Sequence, residues 1–225
     1  VQYVNRPHLD FRGFCGTVAS GIVRKGDEVM ALPSRRTSRV KSIVTFDGDL
    51  DEAFSPQSVT VTLEDEIDVS RGDVIVRPGN VPQLEQRFDA MVVWMHDEQL
   101  MPGKTYVFKM GAKSVTGTIG TLRYGVDVNT LHRQEAPTLK LNEIGRCNLH
   151  LSEPVCFDAY RRNRSMGAFI VVDRISNATL AAGMIVDRTT GDQRNDHWDD
   201  EPGAESLNTE LSAVTDTERA ARFGQ

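Results

Sequence analysis

The chain has 225 residues, 39% of them hydrophobic and 26% charged, with a formal charge of −6. That suffices for one large domain or two of about 100 residues each, and the acidic balance argues against a nucleic-acid binder that works by neutralising phosphates. The longest apolar runs, Ala90–Met95 and Ala168–Val172, fall far short of the roughly 18 residues of a membrane span.

Period-two alternation dominates residues 1–187. In chain order, strands are predicted over Thr17–Val23, Glu28–Leu32, Arg39–Phe46, Ser58–Leu63, Val74–Arg77, Phe88–Met95, Thr105–Met110, Ser114–Leu122, Ile144–Leu151, Ala168–Asp173 and Thr179–Val186. The alternation sets Val59, Val61 and Leu63 against Thr60 and Thr62, and Phe88, Ala90, Val92 and Trp94 against Met91, Val93 and Met95. Turns such as Lys25-Gly26-Asp27, Asp47-Gly48-Asp49 and Pro102-Gly103-Lys104 punctuate these runs. No segment before residue 188 shows helical spacing, so the fold class is all-β: two consecutive β-barrels and then an acidic, mostly disordered tail.

Two prolines and a glycine in Arg77-Pro78-Gly79-Asn80-Val81-Pro82-Gln83 cannot continue a central strand. The expected division is therefore a barrel over 1–80, a second over 84–187 and a linker over 188–225. Charge supports the last boundary: residues 1–187 hold 22 basic and 23 acidic side chains, whereas Gly191–Glu218 holds nine acids and one base. Leu207, Leu211 and Val214 offer at most a weak helix there. The start, Val1–Pro7, lacks both Met and the apolar core of a signal peptide and reads as a strand already under way, so the chain is expected to be a fragment. Cys15, Cys147 and Cys156 form no C-x-x-C pair and are expected to be buried thiols in a reducing cytoplasm.

Motifs of nucleotide chemistry fail on inspection. Gly103-Lys104-Thr105 ends like a phosphate-binding loop, yet the glycine required five positions earlier is Glu98, and Tyr106–Met110 reads as strand rather than helix. Gly111-Ala112-Lys113-Ser114 and Asp10-Phe11-Arg12-Gly13 fail as well, so no cofactor is expected in these residues. His96-Asp97-Glu98 and His197-Trp198-Asp199-Asp200-Glu201 place ligand types side by side, but neighbours along an extended chain point apart, and no metal is expected. His8, His132 and His150 are scattered, and no catalytic residue is assigned. Two basic clusters stand out: Arg35, Arg36, Arg39 and Lys41, with Arg39 and Lys41 on one strand face, and Arg161, Arg162 and Arg164 in a hairpin loop. The arginine fork suits a carboxylate or a phosphate, so these seven residues are the candidate docking positions for an acidic partner surface or a phosphate, and the sequence does not decide between the two.

The stretch Arg12-Gly13-Phe14-Cys15-Gly16-Thr17-Val18-Ala19-Ser20-Gly21-Ile22-Val23-Arg24-Lys25-Gly26-Asp27-Glu28-Val29 resembles the opening of the second domain of translational GTPases such as elongation factor Tu. Leu32–Ile43, Phe46-Asp47-Gly48, Met101–Tyr106, Asn142–Gly145 and Asp173–Thr179 are similar to the GTPase subunit of bacterial ATP sulfurylase, the large subunit of sulfate adenylyltransferase. Glu218–Gln225 resembles the lead-in to the adenylyl-sulfate kinase domain of the bifunctional form.

The resemblance implies domain II- and III-type barrels in a cytoplasmic protein of sulfate assimilation. GTP, ATP and Mg would then serve the parent protein. The implied partners are the catalytic adenylyltransferase subunit, the chain's own N-terminal GTPase domain and a C-terminal kinase domain, with no membrane and no nucleic acid. The family's nucleotide motifs have no counterpart in these residues, so its catalytic residues do not carry over and the fragment itself is expected to be inactive. A translation-factor-like barrel pair that binds tRNA or a protein partner is the alternative.

Overall fold

The computed structural model describes residues 1–8 and 10–188 and contains strands and turns without a helix among them. The acidic stretch from residue 189, with the cluster His197–Glu201 and with Leu207, Leu211 and Val214, lies outside the described residues.

The first barrel comprises β1 (Tyr3–Asn5), β2 (Gly13–Thr17), β3 (Ile22–Arg24), β4 (Glu28–Leu32), β5 (Arg36–Thr45), β6 (Gly48–Leu50), β7 (Glu52–Phe54), β8 (Ser58–Leu63) and β9 (Val74–Val76). Its main sheet runs β1-β2-β8-β5-β4-β9, with β6 on β5 and a separate β3-β7 ribbon. Phe14, Val29, Val40 and Ile43 fill the core.

The second comprises β10 (Gln83–Trp94), β11 (Thr105–Met110), β12 (Lys113–Val126), β13 (Arg133–Gln134), β14 (Ile144–Phe157), β15 (Ala168–Val172) and β16 (Thr179–Arg188). Its order is β11-β15-β16-β10-β14-β12, and the β11–β12 pair closes the ring into a six-stranded barrel, with β13 outside on β12. The long strands curl because extra residues interrupt the ladders, between Glu85 and Arg87 and between Ile119 and Leu122. Its core is separate and aromatic: Phe88 lies 4.8 Å from Phe157 and 6.2 Å from Phe169 between ring centroids.

Alternation predicts the second barrel well. Phe88, Ala90, Val92 and Trp94 are 0%, 0%, 0% and 1% exposed. Several expectations need correction, among them the starts of β5 at Arg36 and β10 at Gln83, ahead of the predicted Arg39 and Phe88. Thr17–Val23 is not one strand: β2 ends at Thr17 and β3 starts at Ile22, because Gly21 turns the chain at φ 71°. β14 runs six residues beyond Leu151 and contains Pro154. Proline is tolerated there because it falls between the β10-paired residues His150 and Val155, where no ladder bond to β10 is lost. In β8, Thr62 is buried and Val61 only half-buried, since a bulge in β5 between Val40 and Ser42 brings the Ser42 hydroxyl within 2.6 Å of Thr62 Oγ1. Of the cysteines, Cys147 alone is fully buried, whereas Cys15 and Cys156 are half-buried and all three are free.

Candidate partner-docking surface

The turn between β4 and β5 holds Arg35 in the left-handed region at φ 58°, and Arg36 opens β5. Ser38 and Val40 point inward, so Arg39 and Lys41 fall on the exposed face, with Lys41 as the extra residue of the bulge. Glu28 of β4 stands across from Arg39. Among the described residues none of the four cations forms an ion pair. Phe46, fully exposed, lies in the β5–β6 turn, one residue past the end of β5.

Arg161, Arg162 and Arg164 sit in a tight loop of the second barrel. Ala159 O accepts from Arg162 N (2.9 Å) and Asn163 N (3.0 Å), and Asn163 O accepts from Gly167 N (2.9 Å). Glycine is required at 167, because a Cβ there would stand 2.4 Å from Tyr160 Cα and 2.5 Å from Tyr160 N. Arg162 Nη2 donates to Asn80 Oδ1 (3.3 Å), which turns it toward the first barrel. It is the one member of either cluster that lines a groove of about 520 Å³. The structure therefore does not join the seven residues into one site: four lie on β5 and its leading turn, and three on a loop of the other barrel.

The groove has a wall of residues Thr17 to Val23, a second of Val74 to Arg77, and a rim from Asp158, Arg162, Asn163 and Met166. Arg77 Nη2 donates to Asp27 Oδ2 (2.7 Å), and that bond holds the Asp27 carboxyl below its ordinary range. The barrels also meet where Gly72, at φ 95°, packs on Lys113, with no room for a Cβ.

Sequence reasoning passed over a buried ion network on the second barrel. Asp89, 2% exposed, accepts from Arg123 Nη2 (3.0 Å) and Arg146 Nη2 (3.1 Å) on Oδ2 and from Asn148 Nδ2 (3.1 Å) on Oδ1. The signal available was a charged residue inside the apolar run Phe88–Trp94.

The rejected motifs have structural occupations. Lys104 leads into β11, not a helix, and its Nζ donates to Asp173 Oδ2 (3.2 Å). His96 Nδ1 accepts from Glu98 N in a local turn. Burial pushes the Cys147 thiol up to about 12 and Cys156 to about 11, which leaves both protonated at neutral pH. Asp173 Oδ1 accepts from Ser176 N and Ile175 N (2.9 Å each), and with Lys104 these bonds hold its carboxyl well below the ordinary carboxylate range. A depressed folded-state pKa gives stability that is present above the unfolded value of 3.8 and is lost as pH falls below it. Asp173→Asn is therefore expected to flatten the drop in Tm between about pH 5 and pH 2, followed by circular dichroism. An acid limb as steep as in the parent would refute that role.

The comparisons agree with this architecture. Residues 15–76 match the family described as elongation factor Tu domain 2, and residues 87–186 the one described as GTP-eEF1A C-terminal domain-like. The bifunctional enzyme CysN/CysC of Rhodopirellula baltica is 61% identical over all 225 residues, which are 35% of that protein. Sulfate adenylyltransferase subunit 1 of Shewanella woodyi is 58% identical over 185 residues (82% of this chain, 39% of the relative). The Bacteroides fragilis protein of the same name is 56% identical over 188 residues (84% and 40%). The chain thus spans between a third and two fifths of these curated relatives. In fold it is similar to sup35 complexed with GDP, with TM-score 0.75 and 19% identity over 84% of this chain and 46% of that one. No described helix is long and apolar enough to cross a membrane. With translation-factor-type barrels in series and more than half of their residues shared with these relatives, the chain belongs to the family of sulfate adenylyltransferase subunit 1 and its bifunctional CysN/CysC forms.

Proposed function

We propose that these barrels are the non-catalytic part of the GTPase subunit of a sulfate adenylyltransferase in the cytoplasm. They couple GTP hydrolysis in an N-terminal domain to the formation of adenylyl sulfate from ATP and sulfate on a separate catalytic subunit. The observation that carries this reading is the match to the bifunctional enzyme along all 225 residues, the acidic stretch 188–225 included. On this reading, residues 1–80 and 84–187 act as the two barrel domains and 188–225 leads to an adenylyl-sulfate kinase domain. GTP, ATP and Mg belong to the nucleotide-binding parts. A nucleotide shifts such an assembly only through contacts that differ between two states, and the barrels supply a surface for such contacts.

The exposed, unpaired Arg35, Arg36, Arg39 and Lys41 are the contact residues toward the catalytic subunit, and Arg161, Arg162 and Arg164 form a second basic position. Reversing Arg36 and Arg39 to Glu in the full-length subunit is expected to weaken association with the catalytic subunit on the order of tenfold at low salt. Titration calorimetry at two ionic strengths measures it. Unchanged affinity at low salt would exclude this surface.

A further inference from the structure

The two ends of the second barrel differ. One end carries the turn at 110–113 and the loop 158–167, and through Lys113 and Arg162 it meets the first barrel. Among the described residues it exposes no large apolar side chain. The other end is built from the loops 95–104, 127–132, 140–143 and 173–178. Met95, Met101, Val128, Leu131, Leu141 and Ile175 are all exposed there, whereas elsewhere in the described barrel only Ile170 is. Hydrogen bonds and strand register hold these loops together. Asn142 N donates to Trp94 O (2.7 Å), Met95 N to Leu180 O (2.8 Å) and Lys104 Nζ to Asp173 Oδ2 (3.2 Å), and Val126 stands opposite Ile144. The loops are also fixed in advance of any contact. Asp127 Oδ1 accepts from Asn129 N (2.8 Å) and Thr130 N (2.9 Å), Glu143 Oε2 from Lys140 N (2.8 Å), and Asp173 Oδ1 from Ile175 N (2.9 Å). Leu131, Asn142 and Asn177 lie in the left-handed region, at φ 60°, 65° and 58°. Asparagine tolerates that conformation, but leucine is strained in it, and a side chain that is 76% exposed stabilises nothing within the barrel.

We propose that this end of the second barrel is an apolar docking surface for the catalytic subunit. Charge decides against RNA as the occupant. The four loops hold three basic side chains, Lys104, Lys140 and Arg174, against five acidic ones, so a phosphate backbone meets no positive field. Three of the five carboxylates are spent on the turns' own N–H groups, which leaves apolar side chains as the chief contacts on offer. Rigid turns lose little further freedom on binding, so such side chains act as ready anchors. Among protein partners, the sequence singles one out. Residues 101–106, 142–145 and 173–179 are the stretches of this barrel that resemble the sulfate adenylyltransferase subunit in particular, and all three fall at this end. The barrel fold itself does not call for them, since sup35 has the fold at 19% identity. A contact with a nucleotide domain of the general translation-factor type would not call for them either. The proposal rests on the function proposed above and deepens it: beside the basic face of β5, the catalytic subunit gains a second contact that does not depend on charge.

A triple variant of the full-length subunit, Met101→Gln/Leu131→Asn/Ile175→Ser, tests it. All three side chains are exposed and Asn relieves the strain at 131, so Tm is expected to stay within about 2 °C of the parent. Titration calorimetry is expected to show affinity for the catalytic subunit at least about tenfold weaker, by the same factor at low and at high salt. The loss in Arg36→Glu/Arg39→Glu, by contrast, should shrink as salt rises. Unchanged affinity in the triple variant, with the parent binding, would overturn this surface and leave the proposed function standing. A parent subunit that does not bind the catalytic subunit would overturn both. A parent that dimerises alone, and that the triple variant renders monomeric in analytical ultracentrifugation, would assign the surface to a second copy and overturn the proposal.

Discussion

Replacing Asp89 with alanine is expected to lower stability by about 3–5 kcal/mol, because the change removes the carboxylate shared by Arg123, Arg146 and Asn148. Taking a lone charge out of a buried pair costs far more than taking out the pair, since the remaining guanidinium stays desolvated in a low-dielectric site. Arg146 is only 7% exposed and cannot turn to water without disturbing β14, whereas Arg123 is about a third exposed and can. Arg123→Ala is therefore expected to cost about 1 kcal/mol or less. In a chain of this size the Asp89 loss corresponds to a Tm lower by roughly 6–20 °C, read by scanning calorimetry. Equal, small losses for both variants would mean that the network is held elsewhere.

Phe88→Ala is expected to cost a similar 3–5 kcal/mol, through lost burial and the cavity left behind. Phe88 is fully buried and sits between Phe157 of β14 and Phe169 of β15, so one ring ties together strands distant in sequence. Phe88→Leu, which keeps most of the volume, is expected to lose about 1.5 kcal/mol or less. Urea unfolding separates the two: the midpoint should fall in proportion and the slope should stay constant. A loss below about 1 kcal/mol for the alanine variant would mean that the aromatic cluster repacks around the gap.

The features that were legible in the sequence are those that depend on neighbours along the chain. A strand that lines a barrel repeats every two residues, so Phe88, Ala90, Val92 and Trp94 declare their inward face without reference to their partners. Thr105–Met110 was predicted with its observed bounds for the same reason. The arginines at 35, 36 and 39 and Lys41 were visible because a local cluster of like charge has no place in a core.

Long-range pairing was not legible. Asp89 breaks its strand's apolar run, and nothing nearby says that the partners lie 34, 57 and 59 residues later on β12 and β14. The strand bounds at Thr17 and Leu151 failed for a related reason: a turn at Gly21 and a gap in the ladder around Pro154 depend on what faces them across the sheet. The groove is formed by segments near residues 18, 75 and 162, and no single stretch of sequence carries it.

Composition and alternation were enough for the all-β class and for short strands in series, since burial of one face is a property of each segment. Strand order, the closed second ring and the burial of Asp89 came from the tertiary structure alone. They arise from hydrogen bonds and packing between segments whose separation along the chain leaves no periodic trace.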